Sequence, residues 1–287
     1  MKAVIFGASG QDGVHLTELL KTLGIQVVGV SRSNGGDVAD YATVEGIVRE
    51  ARPDFLFHLA ASSTTRHEAL FANHATISTG SLNVLEAVRL HVPECRVFIA
   101  GSGVQFVNAG NPISESDPFE ATSPYAVARI QSVYAARYYR TLGIKAYVGY
   151  LFHHESPLRK SGHLCKAIAD AAKRARAGSA DRLEIGDVTV RKEAGFAGDI
   201  VEGIWTLVSQ VDVFEAVIGT GRAHSIQEWI EACFSKAGCD WRDHIIPRAD
   251  VFKPEYPVLV SDPATIRSLG WSAKTTFDEL AEMMMRQ

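Results

Sequence analysis

Lys2-Ala3-Val4-Ile5-Phe6-Gly7-Ala8-Ser9-Gly10-Gln11-Asp12-Gly13 is the stretch that decides the fold. Five residues of buried-strand character run into a turn with glycines at the first, fourth and seventh positions. Leu16, Leu19, Leu20 and Leu23 then recur at helical spacing, and Gly24 closes the segment. A strand feeding a glycine-rich turn that opens a helix leaves free backbone N–H groups facing outward, where a phosphate can approach.

The same alternation continues. Ile25–Val30 reads as a second strand. Tyr41, Val44, Ile47 and Val48 mark a helix stopped at Pro53, and Asp54–Leu59 reads as a third strand ending in Ala60-Ala61-Ser62-Ser63. A long helix around Thr79–Leu90, the strand Arg96–Ala100, a proline-opened helix over 124–142 and the strand Lys145–Phe152 follow. Such alternation specifies an α/β fold, a doubly wound parallel sheet of Rossmann type covered on both faces. We expect residues 1–160 to form the dinucleotide-binding unit, with later strands returning to it. Residues 161–287 are expected to form mainly a smaller, interleaved substrate lobe.

Composition removes other classes. The 287 residues carry 46% hydrophobic and 22% charged side chains with a net charge of -4, so no basic field exists for nucleic acid or an anionic membrane. No apolar run approaches the length of a membrane span, and the N-terminus has no signal-peptide pattern. Cys95, Cys165, Cys233 and Cys239 lack CxxC spacing, which suits reduced thiols and a cytoplasmic protein. His153-His154-Glu155 does not make a metal site on its own, because adjacent residues of a strand face opposite sides, and no metal is expected.

The second strand ends in Ser31-Arg32-Ser33, where a carboxylate would take the ribose hydroxyls of NAD. Arg32 suits a 2′-phosphate, so NADP(H) is expected and NAD(H) less so. Only Arg32-Ser33-Asn34-Gly35 separates that strand from Gly36-Asp37-Val38. Any edge strand there is expected to be missing or vestigial.

The GxxGxxG turn, Ser102, and Ser123-Pro124-Tyr125 opening a helix resemble the extended short-chain dehydrogenase/reductase superfamily. Leu151-Phe152-His153-His154-Glu155-Ser156-Pro157, Gly186-Asp187, Asp199-Ile200-Val201-Glu202 and Leu269-Gly270-Trp271 narrow this further. Together they resemble the GDP-mannose 4,6-dehydratases and the related GDP-4-keto-6-deoxy-mannose reductases over nearly the whole chain. The resemblance implies that Tyr125 exchanges a proton with the sugar C4 oxygen while Ser102 holds that oxygen. Cofactor contacts are implied at Gly7, Ser9, Gly10, Gln11, Asp12 and Gly13, at Arg32, Asp37 and Val38, at Leu59, Ala60, Ala61 and Ser63, and at Tyr125 and Arg129. Substrate contacts are implied at His153, Arg191, Lys192 and Lys253.

Departures from the pattern matter. The family's lysine, four residues after the tyrosine, is Arg129 here, a permanent cation of different length and donor geometry. The glutamate that dehydratases place two residues after the catalytic hydroxyl is Val104, which does no acid–base work. His153 stands where the family has Asn, and Arg191-Lys192-Glu193-Ala194 replaces Lys-Arg-Asp-Trp. Lys253-Pro254 replaces Arg-Pro. The expectation is therefore an NADP(H)-dependent reductase of a 4-keto nucleotide sugar, GDP-4-keto-6-deoxy-mannose-like or a heptose analogue. The alternatives are a GDP-mannose 4,6-dehydratase or an NADP-binding regulatory protein.

Family members pair through the tyrosine-bearing helix and its neighbour, so a homodimer with a four-helix interface is implied. Its surface would include Val133, Tyr134 and Tyr138. Lys173-Arg174-Ala175-Arg176 complements a helix C-terminus, and Ser225-Ile226-Gln227-Glu228 is a capping box.

Overall fold

Along the first strand the side chains divide cleanly between two cores. Ala3 and Ile5 pack into one apolar cluster and Val4 and Phe6 into another, as the two-residue period of a strand requires. A sheet buried on both faces follows. The computed structural model describes residues 1–248 and 256–286.

In chain order the first half contains β1 (Lys2–Phe6), α1 (Gln11–Thr22), β2 (Gln26–Val30), α2 (Tyr41–Ala51), β3 (Phe55–His58), α3 (Leu70–Asn73), α4 (Gly80–His91) and β4 (Arg96–Ser102). Next come α5 (Pro124–Thr141), β5 (Lys145–Leu151), β6 (His154–Glu155), α6 (Leu164–Arg176), β7 (Leu183–Ile185), β8 (Arg191–Glu193), β9 (Gly195–Phe196) and α7 (Ala197–Val208). The remainder is β10 (Glu215–Ile218), β11 (Ala223–Ser225), α8 (Ile226–Ala237), β12 (Ile245–Pro247), β13 (Val258–Leu259), α9 (Ala264–Ser268) and α10 (Phe277–Arg286).

Six strands form the central parallel sheet in the order β10-β5-β4-β3-β1-β2, with the switch in winding direction between β1 and β3. That switch opens a crevice at the carboxyl ends of the strands, where doubly wound proteins bind ligands. Helices α2, α4 and α5 cover one face, and α1 and α7 the other. A third core, with Ile168, Ala172, Trp229, Phe234 and Met284, joins α6, α8 and α10.

The expected absence of an edge strand after β2 is observed: a short 3-10 turn at Arg32–Asn34 leads directly toward α2. The long helix expected around Thr79–Leu90 departs from simple form. Residues His74–Thr79 are a π-helical turn ahead of α4. The Ile77 carbonyl in this turn accepts from both Ser81 Oγ (2.7 Å) and Ser132 Oγ (3.2 Å), which compensates for the interrupted helical ladder. The Ser225–Glu228 capping box and the basic end of α6 are both present. Val133 belongs to the core and is fully buried, so it is not part of an exposed face; Tyr134 and Tyr138 are each 58% exposed. No described helix is long and apolar enough to cross a membrane.

Candidate active site

Gly7 and Gly13 shape the turn after β1. Gly7 has φ +92°, and a Cβ there would lie 2.7 Å from the Ala60 backbone nitrogen. A Cβ on Gly13 would lie 2.3 Å from the Gly7 carbonyl oxygen. The turn can therefore press against the β3 end only because these side chains are missing. Gly10 caps α1 without any side-chain hydrogen bond, leaving the helix N-terminal N–H groups available to an outside acceptor.

This turn is one wall of a cleft of about 420 Å³. Gly7, Ser9, Gly10, Gln11, Asp12 and Gly13 lie on it, with Arg32, Asp37 and Val38 at one end. Leu59, Ala60, Ala61 and Ser63 form the facing wall. The shape and chemistry fit a dinucleotide: open helix N–H groups for a pyrophosphate, an apolar slot at Val38, and a cation at the ribose end. Arg32 is exposed beside the Ser31 and Ser33 hydroxyls, which lie 2.8 Å apart, and no ion pair to it is found among the described residues.

Gln11 and Asp12 line the cleft, but their side chains serve another purpose. Gln11 donates to the His154 carbonyl (3.4 Å) and accepts from Ser156 Oγ (3.0 Å). Asp12 pairs with His154 Nε2 at 2.9 Å. Burial raises the Asp12 carboxyl, yet His154 outweighs it and the net shift is downward. For His154, burial is likewise overcome by Asp12 and the shift is upward. These contacts fasten the turn to β6.

A second pocket of about 280 Å³ adjoins the first. Ser102, Val104, Tyr125 and Arg129 all lie on its wall, with His153 opposite. Each position has a local cause. β4 runs to Ser102 because Gln105 Oε1 accepts from the Ser102 backbone N–H (2.8 Å), and Ser102 itself caps the turn that carries Val104. Ser123 Oγ accepts from Ala126 N (3.2 Å) and Pro124 starts α5, so Tyr125 falls in the first turn. Arg129 follows one turn later, its guanidinium 5.0 Å from the Tyr125 ring centre. Arg129 is only 4% exposed; its Nη1 donates to the Ala100 carbonyl (2.5 Å), while Nε has no partner. Tyr125 and Arg129 thus line the second pocket and not the 420 Å³ cleft.

Of the expected substrate cations, Lys192 reaches the site indirectly, with Nζ 3.1 Å from His153 Nε2. Arg191 does not line either pocket; it is exposed, donates to the Ala223 carbonyl and lies 3.4 Å from Glu228. Lys253 lies outside the described residues. Glu115, the nearest carboxylate after Val104 in sequence, lines neither pocket and accepts from Val217 N (2.5 Å) and Thr265 Oγ1 (3.1 Å).

Three groups escaped the sequence reading. Arg159 and His163 line both pockets, and Lys160 lines the larger one. The signal was available as a basic pair just after Glu155-Ser156-Pro157, but only folding brings that loop over the junction. His153, Glu155 and Cys165 place donor atoms within 4.8 Å of one another. Lys192 on His153 and Arg159 on Glu155 (3.0 Å) already supply cationic partners there from the chain itself.

Fold and site together define an α/β protein of Rossmann type with a cleft at the point where the sheet's winding reverses. The sequence profile of the family described as GDP-mannose 4,6 dehydratase matches residues 32–284, and the chain belongs to that family. It is 30% identical over 318 aligned positions to GDP-mannose 4,6 dehydratase 1 of Arabidopsis thaliana, covering 99% of this chain and 88% of that one. With GDP-mannose 4,6-dehydratase of Sinorhizobium fredii it shares 28% identity, covering 99% and 95%. Among solved structures, UDP-glucose 4-epimerase of Thermus thermophilus in complex with NAD superposes with a TM-score of 0.86 at 22% identity, covering 99% and 98%. RMD from Pseudomonas aeruginosa complexed with NADPH gives 0.87 at 21%, covering 99% and 96%. The last two show the fold. The named sequence relatives are dehydratases, so the comparisons favour the dehydratase alternative over the reductase expected from Val104.

Proposed function

We propose that this chain is an NADP(H)-dependent enzyme of nucleotide sugars that exchanges hydride at C4 of a GDP-linked hexose. One observation carries this reading: Ser102, Tyr125 and Arg129 share a pocket that continues into a cleft built for a dinucleotide. When bound, the nicotinamide supplies or accepts the hydride. Tyr125 Oη then gives or takes the proton of the C4 oxygen, Ser102 Oγ holds that oxygen, and Arg129 keeps a fixed positive charge beside the ring. Arg32, with the hydroxyls of Ser31 and Ser33, favours NADP(H) through charge-assisted hydrogen bonds to the 2′-phosphate. Residues 1–160 hold the cofactor in this reading, and residues 161–287 contribute mainly to the sugar nucleotide.

Two reactions contain that C4 step. The relatives' names favour 4,6-dehydration of GDP-mannose, in which the C5 proton must also be removed. Val104 on the pocket wall favours the second reading, reduction of a 4-keto nucleotide sugar, because reduction needs no base at C5. If dehydration occurs, the proton goes to a group other than residue 104. Asp12, His153, His154, His163 and Tyr256 are the described acid–base side chains on this pocket besides Tyr125.

Product analysis separates the two: GDP-mannose with NADP+ should yield a 4-keto-6-deoxy sugar, whereas the reductase would consume that keto sugar with NADPH. Turnover of neither overturns the proposal. The exposed Leu82, Tyr134 and Tyr138 on α4 and α5 support pairing of two copies through these helices. Sedimentation of a dilute sample as a monomer would remove the dimer.

A further inference from the structure

His153 follows Phe152 at the end of β5, and its ring reaches the sugar pocket. Nδ1 lies 2.9 Å from the Glu193 backbone oxygen, which only accepts, so Nδ1 carries a proton. In the neutral ring Nε2 is then a lone pair, and Lys192 Nζ donates to it across 3.1 Å. Glu155 Oε1 lies 3.2 Å from the same nitrogen. That carboxylate is fully buried. Its other oxygen receives Arg159 Nε (3.0 Å), while Oε1 has no hydrogen-bond partner. A buried carboxylate oxygen therefore faces a ring lone pair, and the Lys192 ammonium keeps that arrangement in balance.

The other groups around the ring do not supply this balance. His154 is turned to Asp12, and the Glu193 carboxylate accepts from Thr220, Gly221 and Ser261. Half-buried His163 is shifted downward by burial, and burial pushes the Cys165 thiol up to about 12. Tyr125 and Arg129 lie on the same pocket wall. Among the described residues no carboxylate lies within ion-pair distance of Lys192, whose half-buried side chain meets the pocket wall through His153.

We propose that His153 is a ligand-gated proton acceptor: a phosphate of the sugar nucleotide draws Lys192 away, and the ring takes one proton from solvent to become an imidazolium bound to Glu155. In that state Nδ1–H still donates to the Glu193 carbonyl and Nε2–H satisfies the orphaned Glu155 oxygen. Burial first, and the Lys192 charge second, hold His153 down at about 4 in the free protein, which agrees with a neutral resting ring. Removing the ammonium while keeping the carboxylate raises proton affinity at Nε2. Anion binding becomes tighter as pH falls from the raised value in the complex toward that of the free protein. The choice of a nucleotide-sugar phosphate as ligand rests on the proposed function; the gate itself rests on the Lys192–His153–Glu155 geometry.

Calorimetry of GDP-mannose binding at pH 6, in two buffers of different ionisation heat, reads the proton directly. We expect uptake of up to one proton per site, lost in His153→Asn. Binding without uptake, or uptake that survives His153→Asn, overturns the gate. If GDP-mannose does not bind, the functional reading fails, and the gate is judged without ligand. Lys192→Met, or Lys192→Gln should Met not fold, is followed by the His153 ring resonance during acid titration. The midpoint should rise by more than about one pH unit. A midpoint unchanged from the wild type overturns the gate.

Discussion

The 420 Å³ cleft and the adjoining 280 Å³ pocket share a wall and are built in opposite ways. The cleft comes mostly from one continuous strand-turn-helix and the two strand ends beside it, residues 7–13, 31–38 and 59–64. At the turn its exposed groups are backbone N–H donors, fixed once the turn forms, with the Arg32 side chain at one end. The second pocket gathers side chains from β4, α5, the β5–β6 connection and β13, spanning positions 12 to 259. There the recognition groups are side chains that can be exchanged, and this chain has Val104, Arg129 and His153 at three key positions. A backbone site tolerates sequence drift; a side-chain site changes its chemistry with each replacement.

The largest test of this contrast is Tyr125→Phe. Loss of one phenolic proton should lower turnover by about 10²- to 10⁴-fold, the worth of a general acid–base group, while NADPH binding stays intact. Equal damage to binding would mean that the two pockets are not separable.

A pH test comes next, at a buried group that lines neither region. His58 ends β3, is fully buried, and is held at about 4, by burial first and by the nearby Arg129 charge second. The unfolded chain binds its proton near the ordinary histidine value of 6.5, before the folded chain does. Stability from this group is therefore complete above that value and falls as pH drops toward 4. The loss is on the order of 3 kcal/mol. Urea melts at pH 7 and 4.5 should show it in the wild type and a smaller loss in His58→Asn.

Within the cleft, Arg32→Ala should weaken NADP binding by roughly 1.5–3 kcal/mol, the worth of a hydrogen bond to a charged group. NAD binding should hardly change. Equal losses for both cofactors would remove Arg32 from the 2′-phosphate. The smallest effect is expected away from both pockets: Ser225→Ala deletes an N-cap whose Oγ accepts from Glu228 N at 3.0 Å. About 1 kcal/mol of stability should go with it. Cofactor affinity unchanged in that variant would show that α8 and the cleft are energetically independent.

The sequence by itself determined the layered α/β architecture, because periods of 2 and 3.6 residues and the glycine turn depend on neighbours close in the chain. It determined the missing edge strand, since the few residues after Val30 leave little chain for another strand. It also exposed Arg129 and Val104 as departures. Tertiary structure alone decided what those residues meet: that Arg129 is tied to the Ala100 carbonyl, that Val133 is core while Tyr134 is surface, and that Arg191 and Lys192 line neither pocket, Lys192 touching its wall only at His153. The π-helical turn before α4 and the Arg159–His163 loop over the junction were likewise invisible in the sequence. The reason is the same in each case. Contacts such as Lys192 to His153, 39 positions apart, arise from strand pairing and loop closure, and no local period or motif encodes which side chain will be across the gap.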